Sequence, residues 1–171
     1  MPLPTPTTPG SSLSLVKRIT TLVDEVGGRV DWSHKNDLIA FGMIGKDDYY
    51  DLWTMRSDGS GKACLTCGKS GVPELHNGQP AWHPNGEWII FQAQDPGLGT
   101  LRPASLGQGG VGVHNNLWLT NRVGTAFYQL TYVKKGEAIL HPHFSHDGTK
   151  LFWAEREKKV VGGEWSLKIA D

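Results

Sequence analysis

Hydrophobic and polar positions recur along the chain in a fixed order that predicts short antiparallel strands joined by tight turns. Each recurrence opens with an aromatic residue, passes through a short polar turn, and closes with an apolar run and a second aromatic. The three copies occupy 32–41, 82–91 and 144–153, so their starts are separated by 50 and then 62 residues. A period of this size, built on β-type segments, indicates stacked supersecondary units.

A second pattern follows each copy of the first. Leu-Trp-Thr-Met is followed by Asp-Gly and then Leu-Thr, a similar order returns after the second copy, and a shorter version ends at Asp171. The Asn-Gly and Asp-Gly pairs supply the positive φ of tight hairpins, and the β-branched and aromatic runs suit buried strands. The pattern predicts strands at about 28–33, 38–44, 50–56, 62–66, 79–83, 88–93, 116–121, 127–132, 141–145, 150–155 and 165–170.

These motifs resemble the blade repeat of TolB-type β-propellers. The nearest matches are Pro80-Ala-Trp-His-Pro-Asn-Gly86 and Asp51-Leu-Trp-Thr-Met-Arg-Ser-Asp-Gly59, and the resemblance extends over roughly residues 30–171. The first copy departs most, because Lys35-Asn-Asp37 stands in place of Pro-Asp-Gly. The resemblance implies an all-β fold: a partial β-propeller of about three four-stranded antiparallel blades, of which the last is incomplete.

The same repeats predict how the chain is divided. We expect a disordered lead-in at 1–15, an outer strand or linker at 16–29, blade 1 at 30–78, blade 2 at 79–140 with an insertion at 94–115, and an incomplete blade 3 at 141–171. Residues 16–22 contain an Ile-Thr pair that resembles the Leu-Thr closing a blade, which predicts an outer strand; the alternative is a short helix. Because β-propellers usually have four to eight blades, we expect a fragment whose ring is completed by missing blades or by self-association.

Eight aromatic side chains recur at equivalent positions and are expected to be structural, because large aromatic side chains fill the space between packed sheets. They are Trp32, Phe41, Trp53, Trp82, Phe91, Trp118, Phe144 and Trp153.

Contact with a partner is expected on one face of the propeller. In a blade of strands a to d, the a–b and c–d hairpins share a face, and the longer b–c loops and d–a crossings share the other. Variable loops on a rigid scaffold commonly carry binding, and the insertion at 94–115 is either such a loop or a tolerated insertion. Candidate contact residues near this face and the central channel are His76, Asn77, His114, Asn115, His141 and His143. The histidines of the a–b turns (34, 83 and 146) are interpreted as solvated turn residues.

Two cysteines form a Cys-x-x-Cys motif at the end of a predicted strand. Cys64 and Cys67 are read as two ordinary thiols, as a local disulfide in an exported protein, or as half of a zinc site. Zinc would need two further ligands, for which His76, His141 or His143 could be proposed.

Other cofactor motifs are weak, and we expect no cofactor and no resident metal. The segment 63–70 loosely matches a phosphate loop, but Gly71-Val-Pro73 follows it where a helix is required. The acidic segment 46–51 is read as a solvated hairpin in preference to a calcium loop.

The resemblance implies a non-catalytic scaffold that binds a protein partner or a small ligand. No Gly-x-Ser-x-Gly elbow occurs in the chain, so a serine nucleophile is not predicted. The alternative is the gating propeller of a prolyl-oligopeptidase-type peptidase, whose hydrolase domain would lie outside this chain.

Charge and hydropathy narrow the class of partner. Lys plus Arg and Asp plus Glu each number 17, so a basic surface for nucleic acid is not expected. No apolar run approaches the ~18 residues of a spanning helix. TolB-like proteins act in the periplasm, which implies an extracytoplasmic location here, although no signal peptide is visible in this chain.

Overall fold

A computed structural model of the chain describes residues 19–24, 26–99, 112–157 and 164–171. These residues form three antiparallel sheets in which strands adjacent in sequence pair with each other. The first sheet contains β1 (Val26–Ser33), β2 (Leu38–Ile44), β3 (Tyr50–Arg56) and β4 (Ala63–Cys64). The second contains β5 (Asn77–Trp82), β6 (Trp88–Gln94), β7 (Asn115–Asn121) and β8 (Phe127–Gln129). The third contains β9 (Ala138–Phe144), β10 (Leu151–Arg156) and β11 (Trp165–Ala170).

The sheets form an open arc, which confirms the predicted all-β partial propeller with an incomplete third blade. The first strands of the three sheets are neighbours, since β5 contacts both β1 and β9. They are therefore the inner strands that face the propeller axis. Within the described residues, helical structure is confined to a single 3₁₀ turn at Pro96–Leu98. No described helix has the length and apolar character needed to cross a bilayer.

The apolar core lies in two layers between successive blades. Because side chains alternate along a strand, Ile89, Phe91 and Ala93 of β6 pack toward blade 1, whereas Ile90 packs toward blade 3. The layer between blades 1 and 2 also contains Ala40, Leu52, Leu65, Val72 and Trp82. The layer between blades 2 and 3 contains Ala81, Leu117 and Ile139.

The outer strands are shorter than predicted, and the Leu-Thr motif explains why. The prediction of strands at 62–66 and 127–132 is corrected to Ala63–Cys64 and Phe127–Gln129. In blade 1 the Thr66 hydroxyl accepts from the Leu52 amide at 2.9 Å. In blade 2 the Thr131 hydroxyl accepts from the Leu117 amide at 2.8 Å. A side-chain oxygen thus replaces the next backbone acceptor of the ladder and ends the strand pairing.

Seven of the eight repeated aromatic residues are buried or partly buried. Phe41 and Phe91 are fully buried and Trp82 is 6% exposed. The partly buried ones are Trp53, Trp118, Phe144 and Trp153. Trp32 differs, since it is 48% exposed and its Nε1 donates to the Asp37 carboxylate at 3.1 Å. Its structural role is therefore to brace the a–b turn.

The first strand of the arc begins earlier than predicted, and the last strand has exposed apolar side chains. Of residues 16–29, positions 26–29 belong to β1, and the described residues 19–24 have no regular structure. The predictions for 1–15 and 16–18 lie outside the described residues. At the other end, alternate side chains of β11 are uncovered: Trp165 is 43% exposed, Leu167 79% and Ile169 68%.

Candidate functional site

The inner strands bring polar side chains from all three blades together. Counting back three residues from the aromatic that opens each repeat gives Arg29, Gln79 and His141, which are equivalent positions. The pairing of each inner strand with its neighbour is interrupted there by a register shift. Gln79 and His141 have positive φ of 54° and 56° at these irregularities. A β-bulge redirects side chains, and here it allows His141 Nδ1 to lie 3.1 Å from Gln79 Oε1.

A second link joins the first and third blades. Nη2 of Arg29 lies 3.2 Å from Nδ1 of His143 and 2.5 Å from its Nε2. A guanidinium has only donors, so the imidazole of His143 must be neutral to accept from it. Among the ion pairs formed by the described residues, none includes Arg29. The charge of Arg29 therefore lacks a directly paired carboxylate within that part of the chain.

The Asp31 carboxylate is a neighbouring charge of the Arg29–His143 pair, but its hydrogen bond is to another strand. Oδ2 of Asp31 accepts from the Trp82 backbone amide at 2.6 Å and so ties the inner strand of blade 1 to that of blade 2. The residues Arg29, Asp31, Gln79, His141 and His143 are hereafter called the inner-strand cluster.

Burial and charge both disfavour protonation within this cluster. Loss of hydration lowers the pKa of His141 and of His143, and the positive charge of Arg29 lowers both pKa values further. Burial also lowers the pKa of Arg29, with Asp31 opposing the change. At neutral pH the cluster thus contains the Arg29 cation, the Asp31 carboxylate that accepts from the Trp82 amide, and two neutral imidazoles.

These shifts predict a dependence of stability on pH. Because the folded-state pKa of His141 lies below its unfolded value of about 6.5, the unfolded chain binds more protons and stability falls as pH drops below that value. We expect His141→Gln to lose less stability than the wild type between about pH 7 and pH 5. Glutamine suits the site, since Gln79 adopts the same backbone conformation in blade 2. Urea denaturation at both pH values measures the difference, and equal losses would contradict the assignment.

A cavity adjoins the cluster on the side of the a–b turns. Its volume is about 660 Å³, and Asp31 and His143 form part of its wall. His34, His83 and His146 of the three a–b turns line it as well. The sequence alone predicts these histidines only as solvated turn residues. In the sequence, each of the three a–b turns contains a histidine. The fold brings these turns together around the cavity.

Four of the predicted contact residues have buried side chains engaged within the chain. His76 is 2% exposed, and its Nδ1 accepts from the Tyr50 amide at 3.1 Å. Asn77 is 1% exposed and donates to the carbonyls of Pro73 and Leu75. These contacts brace the crossing between blades 1 and 2.

The other two buried residues lie at the end of the insertion. His114 is 3% exposed, and its Nε2 accepts from the Gly136 amide at 2.9 Å. Asn115 is 1% exposed, and its backbone amide donates to the Gly112 carbonyl at 3.2 Å. Of the six candidates, His141 is exposed and His143 half-buried, so these two remain predicted contacts with outside molecules. Most of the insertion, residues 100–111, lies outside the described part.

The loop face carries a second cavity, beside blade 1. Its volume is about 750 Å³, and it is lined by the β2–β3 loop, by the turn after β4 and by Leu75. Cys64 and Cys67 form a disulfide at this place, with Cα atoms 5.7 Å apart. Among the three interpretations of the cysteine pair, the structure therefore contains the local disulfide.

Comparison with known proteins identifies the fold. No protein-family model matches the sequence, and no curated protein matches it at the sequence level. A TolB protein from Agrobacterium tumefaciens superposes with a TM-score of 0.61 at 17% identity, covering 88% of this chain and 47% of that one. TolB from Acinetobacter baumannii gives 0.59 at 13% identity, covering 87% and 31%. Tricorn protease gives 0.51 at 11% identity, covering 84% and 13%.

The sheets thus have the arrangement of a TolB-type β-propeller, as the motifs predicted. The chain spans less than half the length of these TolB proteins. At these identities the likeness establishes the architecture.

Proposed function

We propose that this chain is a non-catalytic β-propeller scaffold that binds an acidic group of a protein partner or small ligand at the inner-strand cluster. The observation that carries the proposal is the Arg29–His143 contact, which places a partly desolvated cation at the propeller axis. A carboxylate is the natural partner of a guanidinium, because both are planar and can form two parallel hydrogen bonds.

The position of the cluster favours an extended ligand. His141 is exposed in the middle of β9, and His143, two residues nearer the a–b turn, lines the cavity on that side. A peptide segment lying along the inner strands would contact both. Such a segment would bring the predicted contact His141 and the turn cavity into one binding site.

The proposal includes an extracytoplasmic location. TolB proteins are the neighbours in fold, and the Cys64–Cys67 disulfide fits an oxidising compartment. Both observations support this location.

Binding of an acidic peptide tests the proposed function. The probe is a short glycine peptide containing two glutamates, and its glutamine counterpart serves as the uncharged reference. We expect the acidic peptide to bind more tightly, with an affinity that falls as salt is added. Arg29→Gln should weaken binding about tenfold or more, because the paired charge is lost. Isothermal titration calorimetry measures each affinity.

Arg122→Gln is the matched control. Arg122 carries the same charge but forms an exposed ion pair with Glu87 in blade 2. We expect it to bind the acidic peptide as the wild type does. Equal weakening by both variants, or equal binding of the two peptides, would contradict a specific site at Arg29.

A second candidate function is the gating propeller of a peptidase, which the likeness to tricorn protease favours. The sequence of a longer parent protein separates the two. A Gly-x-Ser-x-Gly motif followed by Asp and His in a hydrolase domain would support the gating role, whereas further blades alone would support the scaffold.

A further inference from the structure

A carboxylate lies beside the cysteine pair of blade 1. One ligand atom from each of Asp51, Cys64 and Cys67 falls within 4.8 Å of the other two. The three residues come from β3, β4 and the turn that follows, so the pairing of β3 with β4 brings them together. Two sulfurs and one oxygen form a donor set that suits Zn²⁺. His76, His141 and His143, which the sequence offers as further zinc ligands, do not belong to this group.

Neighbouring groups hold the donors in place. The Thr66 hydroxyl donates to Oδ1 of Asp51 at 2.8 Å, which orients the carboxylate. The Cys67 amide points at Sγ of Cys64 across 3.0 Å. An amide aimed at sulfur stabilises the negative charge of a thiolate, and a hydrogen-bonded carboxylate is the usual arrangement around a metal ligand.

The equivalent position in blade 2 shows that the fold does not require an acid at position 51. There Asn116 takes the place of Asp51, and Thr131 donates to its Oδ1 at 3.3 Å, as Thr66 does to Asp51. An amide therefore satisfies the same structural contact. Of the two four-stranded blades, blade 1 alone combines a carboxylate at this position with a pair of cysteines.

The surroundings are open and acidic. Asp51 and Cys67 line the cavity of about 750 Å³ on the loop face, and Asp47 and Glu74 add two carboxylates to the same wall. Lys46 is the cation among the lining residues. The excess of negative charge attracts cations, and the open side leaves a fourth coordination position for water.

We propose that Asp51, Cys64 and Cys67 form a Zn²⁺ site that the disulfide closes and that reduction opens. A dithiol reductant supplies two electrons and two protons: the Cys64–Cys67 bond breaks, two thiols form, and the reductant leaves as its own disulfide. Zn²⁺ then displaces the two thiol protons to solvent and is held by two thiolates and the Asp51 carboxylate. In the tetrahedral geometry of zinc, sulfurs at about 2.3 Å from the metal stand about 3.7 Å apart, a separation that Cα atoms 5.7 Å apart permit.

Competition for Zn²⁺ with a chromophoric chelator tests the site on the full chain. The chain is compared in its oxidised form and after treatment with a dithiol that is removed before the metal is added. We expect one Zn²⁺ per reduced chain and no competition by the oxidised chain. In the reduced form Co²⁺ should give the thiolate-to-metal charge-transfer absorption of a sulfur-ligated ion.

Two variants separate the proposed ligand from its surroundings. Asp51→Asn introduces the residue found at the equivalent position of blade 2, so the fold should persist, while Zn²⁺ affinity should fall about tenfold or more. Asp48→Asn removes the same charge three residues earlier, in the β2–β3 loop, at a position with φ of 65° that asparagine also adopts, and should bind as the wild type does. Failure of the reduced chain to take up Zn²⁺ would overturn the proposal. So would unchanged affinity in Asp51→Asn, or equal uptake by the oxidised chain.

Discussion

Replacing Phe91 by alanine is expected to lower the free energy of unfolding by about 3–5 kcal/mol, the usual cost of removing a buried aromatic ring. Phe91 is fully buried on β6, in the layer that joins blade 1 to blade 2. Its ring packs among side chains of both sheets, so neither blade can close the space without moving its strands. Urea denaturation measures the change, with the slope checked for a cooperative transition.

Tyr132→Ala is the control for this substitution. It removes an aromatic side chain of similar size that is 79% exposed, and the expected change is within about 0.5 kcal/mol. A loss of less than about 1 kcal/mol for Phe91→Ala would mean that this layer is not the core that holds the blades together.

The second large effect is expected at a glycine. Gly112 has φ of +65°, and an added Cβ would overlap the Ile139 carbonyl oxygen and lie 2.8 Å from Cδ2 of Leu140. The same Cβ would lie 2.9 Å from Nε2 of Gln92. Since backbone cannot move aside as a flexible side chain can, we expect Gly112→Ala to cost about 3 kcal/mol or more.

Gly68→Ala is the control that separates the steric clash at Gly112 from the cost of holding alanine in a left-handed backbone conformation. Gly68 has φ of +60°, and no atom lies within 4 Å of its added Cβ. Its substitution should cost only the ~1–2 kcal/mol of a left-handed alanine. Urea denaturation of both variants gives the difference between them. Equal destabilisation would show that β9 does not approach Gly112 as closely as the structure describes.

Much of the fold could be predicted from the sequence because its determinants are local. The turn residues and the alternation of apolar side chains define β2, β3, β6 and β7 within about one residue. The lengths of β4 and β8 could not be predicted in the same way. They depend on Thr66 and Thr131 bonding to another strand, which becomes visible only once the blade is assembled.

The candidate site was harder to predict because it depends on contacts between blades. The place of His141 and His143 on an inner strand predicts them as contacts, and this stays a prediction, whereas Arg29 lies in a Gly-Gly-Arg-Val segment without a local signal. It meets His143 across 114 residues of sequence. Aligning the three repeats would have placed Arg29 with Gln79 and His141. The loop positions of His76 and His114 predict contacts with a partner, yet both side chains are buried and accept hydrogen bonds from backbone amides.

The most direct test of the proposed binding is the pKa of His143, measured by NMR titration with and without the acidic glycine peptide. A bound carboxylate beside Arg29 brings negative charge to the imidazole, which favours its protonated form. We predict that the acidic peptide raises the pKa of His143 and that its glutamine counterpart does not. An unchanged pKa at saturating acidic peptide would contradict the placement of the ligand at the inner-strand cluster.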